Sequence, residues 1–125
     1  MGWRIKRGEI WTVAGGKDDA GKPRPVVIVQ DDSFDATASI TVCAFTTDPS
    51  AAPLFRLDVE PNERNGLRRP CRLMVDKITT VPKARLGALV GRLDEEDVLR
   101  LNRAMMVFLG LAMSPRTERA VGRLA

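Results

Sequence analysis

The chain of 125 residues contains no histidine. That absence removes every mechanism built on an imidazole: Ser-His-Asp hydrolysis, Cys-His proteolysis, two-histidine ribonuclease chemistry and histidine-ligated metal sites. Cysteine is nearly as scarce. Cys43 and Cys71 lie outside any C-x-x-C spacing and are too few for a disulfide framework, so reduced thiols in or near the core are expected, and neither a metal nor a cofactor. Long apolar runs are missing as well, the stretch Ala104 to Met113 falling far short of the roughly 18 residues of a membrane span. The start, MGWRIKRGEIW, lacks a continuous apolar core followed by a small-residue cleavage site, which sets the expectation of a cytoplasmic protein without membrane association. Aromatic residues make up only 5%, so few platforms exist for stacking bases.

What is present is the balance of one globular domain: 44% hydrophobic and 29% charged residues. At this length about two thirds of the unfolded surface can be buried without a covalent or metal staple. Twenty basic against 16 acidic residues give a net charge of +4, which permits a polyanionic partner without demanding one.

β-Branched and aromatic residues mark strands within Arg7 to Ala14, where Trp11 reads as core, and in the continuous run PVVIVQ from Pro25 to Gln30, a central strand with Pro25 at its first position. SITVCAF, Ser39 to Phe45, repeats the pattern. Phe55, Leu57 and Val59 alternate with Arg56 and Asp58, the mark of a half-buried antiparallel strand with one wet side. Asn65-Gly66 signals a turn inside a basic loop that carries Arg64, Arg68 and Arg69, before a strand from Arg72 to Thr79. Val81-Pro82 marks a break, Lys83 to Leu86 a helical turn and Leu89 to Leu93 a last short strand. Asp94 is placed to N-cap the one long helix, with Glu95, Glu96 and Asp97 complementing its dipole. Val98, Leu101, Met105, Phe108 and Ala112 form its apolar stripe, broadened by Leu99, Met106 and Leu109. The pattern predicts a single domain over residues 1–113, mainly β (α+β), folded as a strongly bent sheet or small barrel with a C-terminal helix, and a tail from Ser114 to Ala125.

Two motifs point towards phosphate. Gly16 to Lys22 fits the G-x-x-x-x-G-K of a nucleotide-binding loop, but Pro23 replaces the magnesium-binding hydroxyl and a strand follows instead of a helix, so nucleotide hydrolysis is excluded and a charged connecting loop remains. Arg24 stands between Pro23 and Pro25 at the mouth of the buried strand, its backbone stiffened on both sides. It can clamp an oxyanion or phosphate, or pair with a carboxylate on a neighbouring strand. Thr46 and Thr47 end the next strand, where hydroxyls commonly bond the local backbone.

Taken in order, RGEIW, GKPRPVVIVQ, the strand ending AFTTD, NGLRRPCRLMVDKITTVPKARLG and the helix DEEDVLRLNRAMMVFLGL resemble the MazF/PemK family of toxin endoribonucleases from Ile5 to about Leu111. The resemblance implies an SH3-like or CcdB-like barrel of five to seven strands. It also implies a homodimer that cleaves single-stranded RNA without metal and is neutralised by a cognate antitoxin protein. Position by position, the essential arginine of the family falls on Arg24 and its essential threonine on Thr46. The loop before Pro23 borders the RNA groove, making Asp19 and Lys22 candidate contacts together with Thr47, Arg68, Arg69 and Lys77. Lys77 replaces a glutamine often found in relatives, and Cys71 stands where many carry serine. A gyrase poison of the CcdB type, on the same fold, is the alternative, though such proteins lack the paired arginine and threonine.

Overall fold

The structure is a computed structural model that describes residues 4–14, 22–49 and 55–112. Its strands are β1 (Glu9–Val13), β2 (Arg24–Ile28), β3 (Ser39–Thr46), β4 (Arg56–Val59), β5 (Cys71–Pro82) and β6 (Leu86–Arg92), followed by α1 (Glu95–Phe108). They form one six-stranded antiparallel sheet in the order β4-β5-β3-β2-β1-β6. The expected barrel is an open, curled sheet: among the described residues β4 and β6 are its two edges and share no ladder. Hydrogen bonding does not close the circle, and α1 packs instead against the β4–β5 side, burying Leu101 in the core.

β2 is a central strand with apolar residues on both faces, as its β-branched run requires. Val27 and Val29 join Ile10, Cys43, Phe45 and Leu73 on the helix side of the sheet. Val26 and Ile28 join Trp11, Val13, Ile40 and Val42 on the other. Trp11 is core, 6% exposed, and its indole N–H donates to Glu9 Oε1 at 3.1 Å. Pro25 is the second residue of β2, opposite Thr12, rather than the first. β5 is longer than expected and ends on Pro82, where the missing N–H is harmless at the strand end. Its ladder with β3 is interrupted: β3 advances two residues from Cys43 to Phe45 while β5 runs five, from Leu73 to Ile78. That bulge bends the sheet.

The helix departs from the expected stripe. Among its apolar residues only Leu101 is buried; Val98, Ala104 and Met105 pack partly, whereas Leu99, Met106, Phe108 and Leu109 are exposed. The last turn has run past the sheet that would cover it, leaving Phe108 a tilted ring contact with Phe55 at 6.1 Å. Asp94 sits at the N-cap position, but its side chain caps nothing and instead accepts a hydrogen bond from Asn62 Nδ2 at 3.0 Å. Both cysteines are free and buried. The expected tail from Ser114 to Ala125, and the boundary before it, lie outside the described residues. Among the described residues no helix is long and apolar enough to cross a membrane.

Candidate active site

Strand pairing brings the two principal candidates together. β2 and β3 pair through Val26 with Ala44, Val27 with Cys43 and Ile28 with Val42. Carried two residues further, the same register sets Arg24, the first residue of β2, opposite Thr46, the last of β3. The ladder itself ends at Val26 and Ala44, and by alternation Arg24 and Thr46 lie on the face that those two residues share. The row extends in both directions: Arg24 pairs with Val13, and Thr46 with Arg72, which pairs with Asp58. The Pro23–Arg24–Pro25 segment fixes where the guanidinium leaves the chain, and Arg24 is exposed to solvent. Thr46 Oγ1 accepts the backbone N–H of Asp48 at 3.1 Å, which orients the hydroxyl.

Thr47, next in the chain, turns to the other side of the sheet. There it lines a groove of about 540 Å³ with Pro23, Pro25, Leu67, Arg68 and Arg69. Arg68 and Arg69 reach this groove because their loop is built on a buried amide. Asn65, 0% exposed, accepts N–H groups of Asn62 and Leu67 at 3.0 Å each and donates to Glu60 O at 2.8 Å. Gly66 follows with φ +69°, and a Cβ there would meet Val90 O at 2.3 Å. Cys71 also lines the groove; its thiol donates to Arg69 O at 3.2 Å, and burial pushes its pKa up. A neutral thiol at this position is a weak hydrogen-bond donor compared with a hydroxyl.

The remaining candidates are scattered. Lys22 is exposed two residues before Arg24. Lys77 is exposed on the bulged part of β5, five residues along from Arg72 and therefore up to about 16 Å from the Arg24–Thr46 row. It neighbours Asp76, whose carboxyl takes Arg56 Nε at 3.0 Å and Nη2 at 3.3 Å and is held below the usual range chiefly by that hydrogen bond. Asp19 lies outside the described residues. The residue that the strand patterns do not disclose is Arg72. Arg56 and Asp58 on the wet side of β4 answer Asp76 and Arg72 on β5 with opposite charge, a complementarity visible only once the two strands are set in register.

Comparison with known proteins defines the class. The family model described as PemK-like, MazF-like toxin of type II toxin-antitoxin system matches residues 6–109. The chain belongs to that family. A probable endoribonuclease MazF of Mycolicibacterium smegmatis is 53% identical to it over 108 residues, covering 86% of this chain and 99% of that one. Endoribonuclease MazF9 of Mycobacterium tuberculosis is 29% identical over 117 residues, with 86% and 98% covered. Among solved structures, an endoribonuclease in complex with its cognate antitoxin, from a mycobacterial species, matches with a TM-score of 0.72 at 23% identity over 87% of this chain and 98% of that one. A chain of a MazE-MazF structure from Deinococcus radiodurans matches with the same TM-score at 15% identity, over 90% of this chain and 100% of that one. Relatives of this kind do not favour the gyrase-poison alternative.

Proposed function

We propose that this MazF-type endoribonuclease toxin cleaves single-stranded RNA without a metal ion, through attack of a ribose 2′-OH on the adjacent phosphorus. The bond from the 2′ oxygen to phosphorus forms as the bond to the 5′ oxygen breaks. One product end is a 2′,3′-cyclic phosphate and the other a 5′-OH. The proton lost by the 2′-OH is balanced by the one the leaving oxygen gains. Because the nucleophile belongs to the substrate, a chain without histidine needs only to align it and neutralise the charge that gathers on phosphorus.

The opposition of Arg24 and Thr46 supports this reading. Arg24 supplies guanidinium donors to the phosphoryl oxygens, and Thr46, its hydroxyl oriented by the Asp48 N–H, supplies another. Arg24 serves as an electrostatic and proton-donating group, and the base is another group. Lys22, Thr47, Arg68, Arg69, Lys77 and the loop residue Asp19 contact the RNA on either side of the scissile bond. DNA is no substrate, for want of the 2′-OH. The working form in this reading is a cytoplasmic homodimer, and a cognate antitoxin with an acidic segment competes for the basic loop around Arg68 and Arg69.

The test is purified protein incubated with mixed-sequence RNA in EDTA, followed by mapping of the new ends. Cyclic phosphate and 5′-OH ends are expected, and Arg24→Ala is expected to lose about 2.7–4 kcal/mol of transition-state stabilisation, or 10²–10³ in rate, with its melting temperature kept. A magnesium requirement, or 5′-phosphate products, contradicts the mechanism.

A further inference from the structure

The row that opposes Arg24 and Thr46 does not end at the hydroxyl. On β5 the ladder partner of Thr46 is a second arginine, Arg72, and on β4 the partner of Arg72 is Asp58. Leu73 and Cys71 on one strand, and Leu57 and Val59 on the other, point to the helix-side core, so Arg72 and Asp58 share the face of Arg24 and Thr46. Arg72 Nε donates to Asp58 Oδ1 at 2.8 Å, with side chains 27% and 70% exposed. Thr46 is thus flanked by guanidinium-bearing residues on both neighbouring strands. With strands about 4.7–4.9 Å apart, their Cα atoms are separated by about 10 Å. Two arginine side chains easily span that interval onto successive phosphates of one strand.

As a strut between an edge strand and its neighbour, an exposed ion pair is worth only about 0.2–1 kcal/mol. As a substrate contact the same arginine adds a charge-assisted, forked donor beside the reacting phosphodiester. We infer that Arg72 binds the RNA phosphate adjoining the scissile one. This inference rests on Arg24 and Thr46 holding the scissile phosphate. It extends the substrate-binding site across a third strand.

The test measures binding of a fully 2′-O-methylated RNA, which cannot be cleaved by 2′-OH attack, against salt concentration for the full chain and for Arg72→Ala, Arg72→Gln and Arg72→Lys. Loss of one phosphate contact lowers the slope of log K against log salt by about 0.7, and lysine restores it because it keeps the point charge. In cleavage assays Arg72→Gln is expected to raise KM about tenfold with a smaller change in kcat. A salt slope and KM equal to those of the unmodified chain overturn the inference, whether or not the melting temperature falls. If Arg72→Ala fails to fold, the glutamine and lysine variants decide alone. Undiminished cleavage by Arg24→Ala would instead refute the catalytic reading, and leaves the binding data on Arg72 interpretable by themselves.

Discussion

Replacing Asn65 with alanine is the most informative perturbation of the loop that carries Arg68 and Arg69. The side chain is 0% exposed and makes three hydrogen bonds to backbone groups, accepting from Asn62 and Leu67 and donating to Glu60. Alanine leaves two N–H groups and one carbonyl without these partners. At about 1 kcal/mol for each bond, and up to about 3 kcal/mol for a group left buried and unsatisfied, the loss is about 3 kcal/mol or more. An unfolding entropy of about 2.1 cal/mol/K per residue, taken over this length, converts 3 kcal/mol into a fall in melting temperature of about 10 °C. The function should respond unevenly. Arg24 and Thr46 are positioned by β2 and β3, so kcat should hold while KM for RNA rises as the basic loop loosens. Calorimetry and urea titration give the stability, and initial rates over a range of RNA concentrations give the split. A variant within about 0.5 kcal/mol of the original would refute the reasoning, because water would then be satisfying all three groups.

At Gly66, alanine combines φ +69° with a Cβ at 2.3 Å from Val90 O, so Gly66→Ala is expected to cost more than about 1 kcal/mol in chemical denaturation. Asp76 is held below the usual carboxylate range by Arg56, so the stability it contributes is full above about pH 4 and is lost as pH falls through the depressed folded-state value. Asp76→Asn should therefore lie below the unmodified chain in melting temperature at pH 6 and converge with it in strong acid; a gap that does not narrow as pH falls contradicts the pairing. Burial pushes the Cys43 thiol up to about 12, so iodoacetamide at pH 8 should leave it unlabelled until denaturant is added, as mass spectrometry of the tryptic peptide would show.

The strands were legible where chemistry is local. PVVIVQ and SITVCAF declare buried strands by their β-branched residues, and Phe55 to Val59 declares one wet side by alternation. Arg24 and Thr46 were legible as strand ends, and their opposition depends on a register that no single segment encodes. The cap at Asp94 could be placed by position, but its carboxylate is taken by Asn62, 32 residues away, which no local pattern reveals. Likewise a 3.6-residue period tells which side of a helix is apolar and not how far a sheet extends beneath it, so Met106, Phe108 and Leu109 could not be known to lie in solvent. Arg72 was hidden for a related reason: its meaning comes from Thr46 and Asp58, its neighbours across strands and not along the chain.

The interruption in β5 imposes a counting rule on the chain. Leu73 and Ile78 both reach the helix-side core although they are an odd number of residues apart, because the surplus inserted between them reverses the alternation. Removing one residue from positions 74–77 leaves Leu73 and Ile78 four apart, so plain alternation keeps both inward without the reversal, whereas removing two leaves them three apart and still needs it. Length and bulge are therefore linked by parity in this stretch: an odd change of length removes the reversal and an even change preserves it, which insertion and deletion variants can expose without any change of side-chain chemistry.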